Sequence, residues 1–157
     1  MTNATTLLGP GLIGVEHPPV TVDVERGRLQ AFAHAIAESD PVYVDLAAAR
    51  SAGHPDLPIP PTFLFGLGFG EPEGFSWLTE LGVDLRHVLH GEQVFDYHDI
   101  AHAGDTLVLR SRIVDVFSRR GGALQFLVRE TKVHRADGSS VAGMRMTLVV
   151  RTPGKGL

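Results

Sequence analysis

Residues 106–151 read TLVLRSRIVDVFSRRGGALQFLVRETKVHRADGSSVAGMRMTLVVR, and they form the longest stretch of the chain with the character of β-structure. β-Branched and apolar residues dominate it, and in places they alternate with polar ones as in a half-buried strand. The pairs Gly121-Gly122 and Asp137-Gly138 interrupt the stretch and are typical of tight turns. We therefore predict three antiparallel strands, at Thr106 to Phe117, Ala123 to His134 and Val141 to Arg151.

A further strand is predicted just before this stretch. It runs from Gln93 to Ile100, and Gly104-Asp105 follows it as another turn signal. If each strand pairs with the next along the chain, the turns produce three successive hairpins. The C-terminal half is then an antiparallel meander of four strands.

The N-terminal half has helical periodicity instead. Apolar residues recur at intervals of three and four from Leu29 to Ala37, which predicts a helix. Pro41 is expected to stop that helix shortly after Glu38, because a residue before proline avoids helical dihedral angles. Shorter helices are predicted at Leu46 to Ser51, Phe63 to Phe69 and around Phe75 to Leu81.

The order of these elements predicts one α+β domain over residues 1–157, with residues 1–19 as an N-terminal arm and a short strand at Val20 to Val24. The predicted helix from Phe63 to Phe69 is apolar all round, which favours burial on every side. The simplest packing wraps the long sheet around this helix. The edges of such a sheet must be covered or paired, and a second copy of the chain would serve.

Composition excludes several classes of protein. The chain has 157 residues, of which 43% are hydrophobic and 20% charged, and a formal charge of -4, so it lacks the basic character of a nucleic-acid binder. It has no cysteine, which excludes disulfides, Cys-ligated zinc and a Cys nucleophile. It also lacks an apolar run of membrane-spanning length and a signal peptide. We expect a cytoplasmic protein that acts neither on nucleic acid nor at a membrane.

Residues 38–45, Glu-Ser-Asp-Pro-Val-Tyr-Val-Asp, concentrate three carboxylates and a tyrosine in a turn that contains a proline. One interpretation is purely structural, with Asp40-Pro41 starting a turn and Asp45 capping the next helix. The other is that the turn is an acid–base site. Composition alone favours the structural interpretation.

The same residues resemble a degenerate copy of the signature of MaoC-type (R)-specific enoyl-CoA hydratases, which reads G-D-x-N-P-x-H-x-D. Pro41 sets the register of the resemblance. It places Glu38 on the catalytic Asp, Asp40 on the Asn, Tyr43 on the catalytic His and Asp45 on the last Asp.

Two more blocks resemble this family. Pro60-Pro61-Thr62-Phe63 is similar to the start of its central helix. Residues 93–98, Gln-Val-Phe-Asp-Tyr-His, followed by residues 103–107, Ala-Gly-Asp-Thr-Leu, resemble its F-x-Y-H and G-D-T-L segments. No single block is specific, but the ordered set is. It is most similar to the N-terminal-type dehydratase domains and the small heteromeric dehydratase subunits.

The resemblance implies a hotdog fold, in which an antiparallel sheet wraps around a central helix. It implies a homodimer, or a heterodimer with a catalytic MaoC-like subunit. The substrate class is an acyl thioester of coenzyme A or acyl carrier protein, and the reaction is reversible hydration of a 2-enoyl thioester to an (R)-3-hydroxyacyl thioester. No metal and no cofactor are implied. The candidate catalytic residues are Glu38, Tyr43 and Asp40, and the candidate substrate-binding residues are Asp45, His54, Pro61, Thr62, Phe63 and His98.

Both catalytic positions depart from the family pattern. Glu38 keeps the carboxylate but moves it by one methylene, and Tyr43 replaces an imidazole of pKa about 6.5 with a phenol of pKa about 10. A phenol is a poor base near neutral pH. The acid–base pair is therefore either rebuilt, or lost in a non-catalytic subunit. A hotdog acyl-CoA thioesterase and a non-catalytic acyl-binding partner remain the alternatives.

Overall fold

A computed structural model describes residues 8–67 and 74–154 of the chain. Within these ranges no helix is long and apolar enough to cross a membrane. Four short helices precede or interrupt the strands, at α1 (Arg26–Ala35), α2 (Leu46–Ser51), α3 (Phe63–Leu67) and α4 (Ser76–Glu80). Five strands form one sheet, from β1 (Val20–Asp23) and β2 (Val88–Tyr97) to β3 (Thr106–Arg119), β4 (Leu124–Arg135) and β5 (Ser140–Arg151).

The sheet is antiparallel throughout, with the strand order β1-β3-β4-β5-β2. The two predicted hairpins that join β3 to β4 and β4 to β5 are confirmed. Gly121 and Gly138 have φ angles of 62° and 89° in the two turns. Glycine adopts such positive angles without the steric cost that a Cβ atom imposes.

The predicted hairpin between β2 and β3 is wrong, because β2 pairs with β5 at the opposite end of the sheet. The connection after β2 does not turn back on itself. It pairs instead with residues 54–61, a loop that contains four prolines. Ile59 N–H donates to Ala101 O at 2.9 Å, and Ala103 N–H donates to Leu57 O at 2.9 Å. The place beside β3 is taken by β1.

The first helix confirms the predicted periodicity but is shorter than expected. Leu29 and Ala33 are buried on its inner side. The helix ends at Ala35, and Ala37 has a φ angle of 55°, which reverses the chain before Pro41 is reached. Phe32 packs edge-on against the ring of Phe63 in α3, with ring centroids 5.3 Å apart. This contact holds the C-terminal end of α1, and the turn that follows it, next to α3.

The central helix α3 is described over Phe63–Leu67. Its side chains Phe63, Leu64 and Leu67 are buried, whereas Gly66 is exposed, so burial covers most of its circumference rather than all of it. The predicted extension to Phe69 lies outside the described residues. The helix packs against the inner face of the sheet in the larger of two hydrophobic clusters.

The two edges of the sheet differ. β1 has four residues, and the N-terminal arm continues along the same side of β3 through the bridge from Glu16 to Arg112. β2 has ten residues, pairs only with β5, and contains no lysine or proline. Leu89 and Val94 on β2 are 57% and 46% exposed. The same strand also has exposed polar residues, among them Glu92 and Asp96, but a long unpaired edge still offers backbone groups for pairing with another chain.

We expect Leu64→Ala to destabilise the fold by about 2–5 kcal/mol, because a fully buried leucine leaves a cavity when truncated. Ile36→Ala, at an exposed position, should change the free energy of unfolding by less than about 0.5 kcal/mol. Urea denaturation of both variants measures the difference. Equal effects would contradict the packing described for α3.

Candidate functional site

The turn after α1 uses its carboxylates to satisfy backbone N–H groups. Glu38 Oε1 accepts hydrogen bonds from the backbone nitrogens of Ser39 at 2.8 Å and Asp40 at 2.9 Å. Asp40 Oδ1 accepts one from Val42 N at 3.0 Å and caps the short 3-10 turn Pro41–Tyr43. Each carboxylate therefore stabilises the local chain reversal.

Asp45 has the same role at the next helix. Its Oδ1 accepts a hydrogen bond from Ala48 N at 2.7 Å, so it is the N-cap of α2. This is the capping geometry that satisfies a donor at a helix start. In the folded chain, Asp40 and Asp45 therefore both act as caps, as the structural interpretation of the sequence predicts.

Tyr43 faces a cavity of about 350 Å³. Burial raises the pKa of its phenol above the usual value, and the charges of Glu38 and Asp40 raise it further. The ring is therefore a proton donor or a wall of the cavity at neutral pH, not a base. The cavity is lined by Val42, Tyr43, His54, Pro58, Ile59, Pro61, Tyr97, His98, Asp99 and Ile100.

Two histidines form a hydrogen-bonded pair beside this cavity. Nδ1 of His54 lies 3.0 Å from Nε2 of His102, so one ring must donate to the other. Burial lowers the pKa of His102, and the neighbouring His54 lowers it further. Burial and the neighbouring ring therefore both favour the neutral form of His102.

An arginine fixes the segment that carries His102. Nε of Arg135 donates to Asp105 Oδ2 at 3.1 Å, and its Nη1 donates to Asp99 Oδ2 at 2.8 Å. The same Asp105 oxygen accepts the backbone N–H of His102 at 3.0 Å. Asp99 also lines the cavity. Arg135 therefore links one wall of the cavity to the imidazole pair.

His98 lies at the rim of the cavity and is held from both ring nitrogens. Its Nδ1 is 2.7 Å from Ser140 Oγ, and its Nε2 is 3.3 Å from Asp96 Oδ2. The ring is exposed. These two contacts fix the orientation of the His98 ring just after the end of β2.

The structure brings together some of the predicted site residues and separates others. Tyr43, His54, Pro61 and His98 line one cavity. Phe63 is buried in the core beneath it, and Thr62 is exposed. Glu38, Asp40 and Asp45 lie in the adjoining turn but not among the residues that line the cavity.

Two residues of this region escaped the sequence analysis as site candidates, namely His102 and Arg135. His102 is 48 positions from His54, and nothing in residue spacing indicates that the two rings meet. Arg135 has the appearance of an ordinary charged residue at a strand end. Within the described ranges, no group of three or more His, Cys, Asp or Glu side chains is arranged to hold a metal ion.

The sequence profile of the family described as "FAS1-like, dehydratase domain region" matches residues 11–144. This chain belongs to that family. The match covers the turn after α1, the cavity and most of the sheet, so the resemblance to MaoC-like dehydratases drawn from the three sequence blocks is confirmed. A UPF0336 protein of Streptomyces coelicolor is 34% identical over 145 residues, which are 92% of this chain and 95% of that protein.

Solved structures of MaoC-like proteins confirm the hotdog fold. A chain of the C-terminally truncated HadBC (3R-hydroxyacyl-ACP dehydratase) complex of Mycobacterium tuberculosis has 25% identity and a TM-score of 0.76, with 88% of this chain and 96% of that chain covered. A chain of the ChsH1-ChsH2 complex of the same organism has 22% identity and a TM-score of 0.68, with 88% and 90% covered.

Stability should fall as the pH drops below about 6.5, the ordinary pKa of histidine. The pKa of His102 is lowered in the folded state, so the unfolded chain takes up the proton first and the free energy of unfolding decreases until the folded ring is also protonated. His102→Gln should flatten this dependence between about pH 7 and 5. Denaturation at several pH values measures it, with His34→Gln on the exposed side of α1 as control. An unchanged slope in His102→Gln would contradict a lowered pKa of His102.

Proposed function

We propose that the chain is a non-catalytic subunit of a heteromeric (R)-3-hydroxyacyl-thioester dehydratase, and that it shapes the acyl site while a partner supplies the acid–base pair. One observation carries the proposal, and it concerns residues 38–45, which we call the signature turn: the side chains at its two catalytic positions are poorly suited to act as bases. Glu38 accepts two backbone N–H groups through one oxygen, and Tyr43 is a phenol whose pKa is raised. One oxygen of Glu38 is thus engaged in the turn, and the phenol of Tyr43 is a poor base near neutral pH.

The reaction chemistry explains why this state matters. Hydration of a 2-enoyl thioester needs one group to take a proton from water and another to give a proton at the carbon next to the carbonyl. Groups poised for this transfer typically contribute about 10²–10⁴-fold to the rate. A turn that keeps the shape of the motif but has no imidazole is better suited to binding the acyl substrate than to transferring protons.

The start of the central helix supports the same conclusion. In the family, backbone N–H groups at this helix are expected to polarise the thioester carbonyl. Here Phe63 N–H donates to Pro60 O at 2.9 Å, and Phe65 N–H donates to Thr62 O at 3.2 Å. These two donors are already engaged within the loop, which favours a partner site for the thioester carbonyl.

The free edge of β2 is the surface that we assign to the partner. It leads directly to the cavity, because Tyr97 ends β2 and lines the cavity together with His98 and Ile100. Tyr97 and Ile100 are 43% and 48% exposed despite their apolar surfaces. A chain added along β2 would cover both and close the open side of the cavity.

The comparisons agree with a partner of this kind. The HadBC and ChsH1-ChsH2 structures are named as complexes of two different proteins, and the former is named a 3R-hydroxyacyl-ACP dehydratase. We extend to this chain the substrate class, an acyl group on acyl carrier protein or coenzyme A. The UPF0336 relatives carry no named activity that would argue otherwise.

A self-sufficient homodimeric hydratase is the second candidate. The observation that favours it is the imidazole of His54 on the wall of the same cavity as Tyr43. An imidazole near neutral pH could replace the missing histidine of the motif. By contrast, α3 has no carboxylate within Phe63–Leu67 that would suit a thioesterase.

We expect the purified chain alone to show no hydration of crotonyl-CoA or of a longer enoyl-CoA, followed by loss of enoyl-thioester absorbance. Co-expression with a MaoC-like subunit that carries an intact Asp/His motif should yield an active complex. In that complex Glu38→Gln or Tyr43→Phe should reduce the rate by less than about tenfold, whereas loss of the partner's histidine should cost roughly 10²–10⁴-fold. Hydration by the chain alone that either Tyr43→Phe or His54→Gln abolishes would support the homodimeric enzyme instead.

The assignment of β2 to the partner predicts a second result. Leu89→Lys combined with Val94→Lys should prevent assembly, because charged side chains on an edge oppose strand pairing. Light scattering coupled to gel filtration measures the mass of the complex. Ile13→Lys, at an equally exposed apolar position on the N-terminal arm, should assemble normally. Loss of assembly in the control alone would place the partner elsewhere.

A further inference from the structure

The outer side chains of β2 form a row along the free edge of the sheet. Pairing of β2 with β5 is regular from Glu92 to Tyr97. Because side chains alternate along a strand, Glu92, Val94 and Asp96 point to one face of the sheet, and all three are exposed. Phe95 points to the other face and packs against the larger hydrophobic cluster, so the three lie on the outer face. We call Glu92, Val94 and Asp96 the outer row.

The two carboxylates of the outer row have no cation opposite them within the sheet. Directly opposite Glu92 and Asp96 on β5 lie a threonine and a glycine. Arg145 lies between these two positions, but its Nη2 donates to Glu130 at 2.6 Å. Asp96 Oδ2 lies 3.3 Å from Nε2 of His98, a contact between charges only when the imidazole is protonated. Among the described residues, no lysine or arginine forms an ion pair with either carboxylate.

A second copy of β2 would bring its own carboxylates against this row. If two β2 strands pair antiparallel about Val94, Glu92 lies opposite Asp96 of the other copy, and the contact occurs twice. A register shifted by two residues in either direction places one carboxylate opposite Val94 and diagonal to both carboxylates of the other copy. Directly opposite side chains have Cβ atoms about 4.5–5.5 Å apart, and like charges there destabilise the pairing. The outer row therefore opposes self-pairing.

The apolar side chains of the same edge favour pairing with some other strand. Charges on an edge can serve to keep it from pairing at all, and edges that stay unpaired are typically short or bulged as well. β2 has ten residues and pairs only with β5 among the described strands. It exposes Leu89 and Val94, and Tyr97 at its end is 43% exposed. An apolar edge with charge of a single sign fits selective pairing.

We propose that the outer row selects a different hotdog subunit, whose edge strand presents lysine or arginine opposite Glu92 and Asp96 and an apolar residue opposite Val94. The same row disfavours a homodimer of this chain through β2. Opposite charges across two paired strands stabilise the pairing, and like charges reject the wrong partner. The inference rests on the proposed function, in that β2 binds a partner subunit, but it does not depend on which subunit catalyses the reaction.

A charge-reversed variant of the chain provides a partner of this chemistry. Glu92→Lys combined with Asp96→Lys gives the same fold a basic outer row. Mixed with the parent chain at low ionic strength, this double variant should form a one-to-one heterodimer, because each lysine lies opposite a carboxylate. Neither chain should dimerise by itself at the same concentration. Sedimentation velocity, with one of the two chains fluorescently labelled, measures both results.

The single substitution Glu92→Lys should turn the chain into a homodimer. In the register about Val94, each new lysine lies opposite Asp96 of the other copy, so two repulsive contacts become attractive. The dissociation constant of the dimer should fall by at least about tenfold relative to the parent chain. Salt at about 0.5 M should weaken this homodimer and the heterodimer, because the charges are exposed.

The matched control is Glu25→Lys combined with Glu80→Lys, which changes the net charge equally at two exposed positions outside β2. It should not associate with the parent chain, and circular dichroism checks that every variant is folded.

Three results would each overturn the inference. They are a parent homodimer that neither salt nor Glu92→Lys affects, equal association of the control, and no association of the folded basic variant with the parent chain. If the last occurred while a complex with a MaoC-like subunit hydrated enoyl-CoA, the proposed function would stand and this inference alone would fail.

Discussion

The inner face of a five-stranded sheet has to be covered by very little helix, and the rest of the structure follows from this constraint. Within the described residues the central helix α3 spans Phe63–Leu67, and its Leu64 and Leu67 are fully buried. It therefore covers only part of the sheet. The remainder is covered by α1 and α2 at one end and by α4 at the other, which is why the core consists of two clusters.

The same constraint places the signature turn. The Phe32–Phe63 contact holds α1 against α3, and the left-handed residue Ala37 then turns the chain toward the cavity. A reversal this tight exposes several backbone N–H groups, and the nearby carboxylates are used to satisfy them. A side chain that serves as a cap is less available as a base. The hydrogen bonds that the turn requires thus occupy carboxylate oxygens that an acid–base site would need to be free.

Much of the fold could be predicted from the sequence because it rests on local periodicity. The strands from Thr106 onward and the helix Leu46–Ser51 follow from alternation, helix spacing and turn residues. The position of β2 could not, because pairing with β5 depends on where the connection through Ala101 and Ala103 packs. Of the residues singled out from the sequence, Tyr43, His54, Pro61 and His98 line one cavity, and their role there stays a prediction. His102 was missed because a hydrogen bond between two histidines that are far apart in the sequence produces no pattern in residue spacing.

Arg129 shows most clearly what periodicity leaves out. In the sequence it occupies one position of an ordinary alternating strand, between the inward-facing Leu127 and Thr131. A methionine or leucine there would join the two clusters into one continuous core. Arg129 is partly buried there, and its guanidinium carbon lies 4.9 Å from the centre of the Trp77 ring, a cation–π contact typically worth about 0.5–2 kcal/mol. Alternation along β4 does not predict this contact, because it depends on where α4 places Trp77 against the sheet.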